Sequence, residues 1–191
     1  TVEREYYVND ASAPETGDAV ARHRDGLARI GVRFDRFFRE SELVTGGAVA
    51  RLVDDLIAAG HAERRAEAVW LCTSRLGDTQ DRVLVRESGI PTYLAADLAY
   101  HRDKFARGYD RCVNLWDSAH ETYVARTHAG LAALGEDPER LSVAVVHPVR
   151  VLQGGVERRT GKGDAPWTLD EALALAPARN LRLRLALFPL G

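Results

Sequence analysis

Cysteine and lysine are scarce in this 191-residue chain, and long apolar runs are missing altogether. The two cysteines, Cys72 in "LCTS" and Cys112 in "RCVN", have no paired partner at the spacing of a zinc site or a redox motif. Both are therefore read as small core residues. Lysine occurs only at 104 and 162, so 24 of the 26 basic residues are arginine. With 28 acidic residues the net charge is -2, and no global basic balance advertises nucleic acid. No stretch is apolar for long enough to span a membrane, and the opening "TVEREYYVND" has neither the basic region nor the apolar core of a secretory leader. The expectation is a cytoplasmic protein with no membrane partner.

What the chain does contain is an ordinary globular composition, 46% apolar, in a length that suits one domain over residues 1–191. Helical and strand patterns alternate, which predicts an α/β fold with a parallel sheet flanked by helices. "TGGAVARLVDDLIAAGH" places Val49, Leu52, Val53 and Leu56 at helical spacing with Gly60 as a stop. "AVWLC" and "RVLV" read as short strands around a turn, and "RCVNLW" as a buried strand. "SAHETYVARTHAGLAALG" reads as a helix with Ser118 as N-cap and Gly135 at its end. Then come strands in "LSVAVVH" and "VRVLQ", a glycine-rich basic loop "GGVERRTGKGD", and a short helix "TLDEALALA" opened by a Thr168/Glu171 capping box. The tail alternates Leu181, Leu183, Leu185 and Leu187 with Arg182 and Arg184, as a half-buried strand would, with a helix as the competing reading.

The stretch "GIPTYLAADLAYHRDKFARGYD" carries the chemistry. Tyr93 and Asp97 are four apart on a helix read as amphipathic, and Tyr100, His101 and Lys104 continue that side. A carboxylate beside aromatic rings suits a planar cation, because a guanidinium takes two parallel hydrogen bonds and packs on a ring. The plainer reading of Asp97 is a turn cap or a partner for a nearby arginine.

Six segments, "YYVND", "IGVRFDRFFRES", "GDTQDRVLVRESGIPTYLAADLAYHRDKFARGYD", "AHETYVAR", "LGEDPERLSV" and "WTLDEAL", resemble in order and over most of the chain the catalytic domain of arginyl-tRNA synthetases. The resemblance implies a Rossmann-like fold of the class I aminoacyl-tRNA synthetase type. It also implies an arginine pocket in which Tyr93 and Asp97 match the family's tyrosine and aspartate, with Asn9 near the site. The family's HxGH segment has no match here, the stretch in the place of its KMSKS-type loop reads "VERRTGKGDAP", and nothing matches its anticodon-binding domain. Arg158, Arg159 and Lys162 in that loop are candidates for phosphate or the tRNA end, with a solvated turn as the alternative. The family's G-A-D-H-H-G-Y segment is "DSAHETY" here, so one histidine survives as His120 and Glu121 replaces the other.

These departures predict a transferase without a cofactor, ATP included, that uses arginyl-tRNA as an already activated donor for an amide or cyclic dipeptide, as cyclodipeptide synthases do. His120 and Glu121 are candidate proton handlers and Ser118 a candidate nucleophile. Each also has a structural reading at the start of a helix. The alternatives are an arginine-binding paralogue without catalysis, a subunit of a split synthetase, and ATP-dependent arginine activation. A homodimer or a complementing subunit is expected as partner, to cover apolar sheet surface.

Overall fold

The computed structural model describes residues 2–8, 16–147, 151–153, 156–158 and 168–175. They fall into two compact units, Thr1–Arg39 with Val149–Gly191, and Glu40–Pro148. The expected strand in the tail lies outside the described residues.

In the first unit, strand β1 (Glu5–Val8) pairs in parallel with β2 (Arg36–Arg39), Tyr6 opposite Phe37 and Tyr7 opposite Phe38. Parallel neighbours need a crossover, and helix α1 (Thr16–Arg29) supplies it. Tyr6, Phe34 and Phe37 pack ring against ring at 5.3 to 5.7 Å, and the Tyr6 hydroxyl meets His23 Nδ1 at 3.1 Å. Late in the chain, β8 (Val151–Gln153) and β9 (Val156–Arg158) form an antiparallel pair, so part of the expected basic loop is strand. Helix α6 (Leu169–Leu175) opens on the anticipated capping box: the Glu171 amide donates to Thr168 Oγ1 at 3.2 Å and the Thr168 amide to Glu171 Oε2 at 2.8 Å. Arg29 pairs with Asp170 at its start.

The second unit begins with α2 (Glu40–Thr45) and α3 (Ala48–Ala58), whose Val49, Leu52, Val53 and Leu56 are buried as their spacing predicted. The chain turns out of α3 at Gly60, whose φ of +76° is open to glycine at little cost. Strands β3 (Ala62–Arg65), β4 (Ala68–Leu71) and β5 (Arg82–Val85) then make an antiparallel meander. A parallel pairing of β4 with β5 was the wrong expectation here, because the link holds one short 3-10 turn (Thr73–Leu76) and no crossover helix. Ion pairs staple that link: Asp78 takes two hydrogen bonds from Arg82, at 2.6 and 2.9 Å, and Asp81 binds Ser74 and Arg65. The last two partners hold the Asp81 carboxyl down at about 2.

Helix α4 (Tyr93–Ala106) follows β5 after the turn at 86–92, anchored where the Thr92 hydroxyl donates to the Val83 carbonyl at 2.8 Å. It leads to β6 (Cys112–Asp117), which pairs in parallel with β7 (Leu141–Val146) across helix α5 (Tyr123–Ala133). The α/β reading with parallel strands and flanking helices holds for this part. The reading of β6 as a buried strand does not, for its side chains alternate: Cys112 is buried while Val113 and Leu115 are 67% and 73% exposed. Strand alternation puts Val113 and Leu115 on one face, with Ala144 and Val146 beside them on β7. Ser118 is not an N-cap of α5 either. It opens a separate 3-10 turn (Ser118–His120) capped by Asp117, and α5 starts only at Tyr123.

The core of this unit is built on Leu52, Leu56, Leu71, Leu84, Leu98 and Leu131, all fully buried, and both cysteines sit in it as expected. Helices α4 and α5 touch where Gly130 faces Leu98, so closely that a Cβ at 130 would stand 2.5 Å from Leu98 Cδ2. Among the described residues no helix is long and apolar enough to cross a membrane.

Candidate functional site

Helix α4 is not the amphipathic helix its sequence suggested. Leu94, Ala95, Ala96, Leu98, Ala99, Tyr100 and His101 are all buried, so the helix is enclosed nearly all round at this level. Asp97 is the exception in that run, with a side chain 32% exposed. One turn earlier Tyr93 stands 60% exposed. The continuation of that side runs inward: Tyr100 is buried, and the Lys104 ammonium lies 3.9 Å from the centre of its ring.

The Asp97 carboxylate has no arginine or lysine within ion-pair distance among the described residues; its near neighbour is His101 Nδ1, 3.5 Å from Oδ1. Nδ1 makes its closer contact, 2.8 Å, with the Asp97 backbone carbonyl. On the other side of the ring, Nε2 is 2.9 Å from the side-chain nitrogen of Asn114 on β6, and the Asn114 oxygen accepts from Lys104 at 3.2 Å. Burial pushes the His101 imidazole below its ordinary range, against the pull of the Asp97 charge. Nothing in the sequence singled out Asn114. The signal that could have found it is a polar residue at the centre of an otherwise apolar strand, "CVNLW".

The second group of candidates sits at the carboxyl ends of β6 and β7. Leu115, Trp116, Asp117, Val146 and His147 line an open recess of about 400 Å³ there. In open α/β sheets this is the end where ligands bind. Asp117 accepts from the Ala119 amide at 2.8 Å and from His120 Nδ1 at 2.9 Å. Because a carboxylate can only accept here, Nδ1 carries a proton, which in a neutral ring leaves Nε2 as the acceptor. These bonds, His120 first, hold the Asp117 carboxyl below its usual value. The His120 ring also packs 5.5 Å from that of Tyr123.

Glu121 is exposed just beyond the turn, its amide bonded to the Ser118 carbonyl. Among the described residues no hydrogen bond joins the Ser118 hydroxyl to a base, and no hydrogen bond or ion pair joins Ser118, His120 or Glu121 to Tyr93 or Asp97. The sequence reading passed over Asp117, although an Asp just before a turn-forming serine is an ordinary cap signal. Asn9, Arg159 and Lys162 lie outside the described residues, and Arg158 is described only as backbone at the end of β9.

No family model matches the chain. Among curated proteins it is 45% identical over 157 residues to an arginine--tRNA ligase of Moorella thermoacetica, a match that takes in 82% of this chain and 28% of the relative. Among solved structures, a Campylobacter jejuni chain assigned as an arginyl-tRNA synthetase aligns with a TM-score of 0.78 at 27% identity, over 86% of this chain and 36% of that one. The Thermus thermophilus arginyl-tRNA synthetase shares the fold at a TM-score of 0.69 and 21% identity, over 91% of this chain and 35% of that one. The chain thus spans between a quarter and two fifths of the length of these relatives.

Proposed function

On the premise that this chain is homologous, across four fifths of its length, to a segment of the arginyl-tRNA synthetases, we propose that it recognises the arginyl side chain and uses arginyl-tRNA as an acyl donor. The observation that carries the reading is Asp97: a part-exposed carboxylate, without a cationic partner among the described residues, in an otherwise buried stretch of helix and one turn from the exposed ring of Tyr93. A guanidinium supplies two parallel donors for the carboxylate and a flat face for the ring, whereas an ammonium supplies only charge.

The chemistry follows from the donor. In an aminoacyl ester the carbonyl is already activated, so an attacking amine forms the C–N bond as the C–O bond to the tRNA ribose breaks, with no nucleotide consumed. The amine must lose a proton and the leaving hydroxyl must gain one. His120, oriented by its Nδ1 bond to Asp117, in its neutral form presents Nε2 as a base that takes up the first proton and returns it as an acid. Glu121 and the Ser118 hydroxyl stay in the proposal as neighbouring groups, the serine as nucleophile if the acyl group passes through the protein. ATP has no part in this scheme.

A second reading is favoured by the open face of β6 and β7. Parallel strands are ordinarily covered on both sides, and Val113, Leu115 and Val146 are exposed here. A second copy or a complementing subunit seated on that face would make the chain an arginine-binding component of a larger synthetase-like assembly.

The test is to incubate the protein with isotope-labelled arginyl-tRNA and free amino acids in the absence of ATP, and to search for labelled arginyl amides and cyclic dipeptides by mass spectrometry. A product that disappears in Asp97→Asn supports transfer. Deacylation at the buffer rate, together with co-purification of a synthetase-like partner, moves the assignment to the second reading.

A further inference from the structure

The contacts around His101 settle where its proton lies. Lys104 has only donors, so the Asn114 oxygen must face it, at 3.2 Å. The Asn114 amide nitrogen is thereby turned to His101 Nε2, at 2.9 Å, and donates to it. Nε2 is therefore bare, and the proton is on Nδ1, where it is donated to the Asp97 carbonyl at 2.8 Å and faces the carboxylate at 3.5 Å. A second proton on Nε2 would point at the Asn114 N–H groups. To accept it, the amide would have to turn over and present N–H to the lysine. The ring is fully buried, out of reach of bulk solvent that could accept the proton instead.

We infer that Asn114 is a positioning residue for the cation site: oriented by Lys104, it holds His101 in the neutral Nδ1–H form, which leaves Asp97 with its full negative charge for a guanidinium. The inference rests on the reading of Asp97 as the arginine receptor, and it adds a residue on β6, with no part in touching ligand, that sets the charge of the site. If His101 were an imidazolium it would neutralise Asp97 from 3.5 Å, and the site would lose its preference for a cation. The position also explains a polar side chain in the middle of an apolar strand.

The test uses the full chain labelled with nitrogen-15 in histidine. Long-range proton–nitrogen correlation spectra tell a protonated ring nitrogen from a bare one. In the wild-type chain His101 is expected to show Nδ1 protonated and Nε2 bare, unchanged between about pH 8 and about pH 6. In Asn114→Asp the new carboxylate calls for a proton on Nε2, and both nitrogens are expected to be protonated. Arginine titrated calorimetrically should then bind roughly tenfold more weakly or worse, whereas citrulline, which is neutral, should gain no such penalty. A wild-type His101 with its proton on Nε2, or on both nitrogens, overturns the inference even if the variant fails to fold. Wild-type arginine binding that Asn114→Asp leaves intact overturns the positioning role alone. No arginine binding by the wild-type chain overturns the reading of Asp97 and the positioning role with it, while the spectrum still decides the tautomer.

Discussion

His101 and His120 each sit beside an aspartate of their own stretch of chain, Asp97 four residues before one and Asp117 three residues before the other. The first ring is fully buried, gives its Nδ1 proton to a backbone carbonyl, and has its other nitrogen occupied by Asn114. The second is 55% exposed and gives its Nδ1 proton to the carboxylate itself, with no hydrogen bond to Nε2 among the described residues. One pair leaves the aspartate available and retires the histidine; the other engages the aspartate and leaves the histidine available. The same two residue types at almost the same spacing thus serve opposite ends, and burial with the third partner decides which. A binding carboxylate and a proton-handling imidazole are what the proposed reaction asks of the two places.

The most severe test of the contrast is to remove each carboxylate charge in turn. Asp97→Asn is expected to weaken arginine recognition by roughly 2–5 kcal/mol, because a cation is left poorly paired in a half-buried place. Asp117→Asn should leave equilibrium arginine binding nearly unchanged and slow transfer instead. Equal losses of binding in the two variants would erase the distinction. Next in size is a structural break confined to the buried pair. Gly130→Ala puts a Cβ 2.5 Å from Leu98 on the inner side of α4, and the helices must separate or Leu98 must leave its rotamer. A loss of about 1–3 kcal/mol in chemical denaturation is expected. An unperturbed midpoint would mean that α4 has slack, and that Asp97 is held less firmly than the contacts indicate.

How much of this was legible beforehand differs between the two places for physical reasons. The apolar spacing of α3, the capping box at Thr168 and the buried cysteines depend on local pattern, and the pattern foretold them. The order of the six family-like segments foretold the relationship and the α/β class. The direction of pairing of β4 with β5 depends on the link between them, where polar residues close a staple of ion pairs that no periodicity displays. The exposure of β6 was missed because an apolar strand looks the same whether or not something covers it. Likewise α4 reads as amphipathic because His101 and Asp97 are polar by type, whereas His101 is buried against a partner from β6 that sequence distance conceals. The roles proposed for Tyr93 and Asp97 rest on helical spacing and family resemblance together; those proposed for Asn114 and Asp117 rest on contacts that the folded chain makes.

The pH dependence of stability separates the pairs again, at a smaller scale. His101 faces Asp97 and Lys104 among the charged groups that shift it, and burial dominates, so its folded pKa lies below the ordinary 6.5. The unfolded chain then binds a proton that the folded chain refuses. Stability from this group is fully present above about pH 6.5 and is lost as pH falls from there toward the folded pKa, by at most about 1.4 kcal/mol per pH unit. Thermal midpoints measured from neutral pH downward should decline in this window, and His101→Gln should flatten the decline even if it lowers every midpoint. A decline that the variant keeps would assign it to another group and weaken the case for a buried neutral ring.

The smallest effect is expected from the exposed pair, and its window lies elsewhere. Asp117 is held below the ordinary 3.8 chiefly by His120, so the unfolded chain takes up its proton first as acid is added. Whatever this contact contributes to stability is therefore present above about pH 4 and vanishes as pH falls through the folded pKa. Both side chains are more than half exposed, at 55% and 60%, and solvent screening keeps such contributions small. Asp117→Asn should leave the thermal midpoint at neutral pH almost where it was, while transfer in the labelled assay falls, since His120 loses the group that fixes its proton on Nδ1. A variant as active as the wild type would make the Asp117–His120 pair no more than a helix-entry turn, and the search for the base would pass to Glu121.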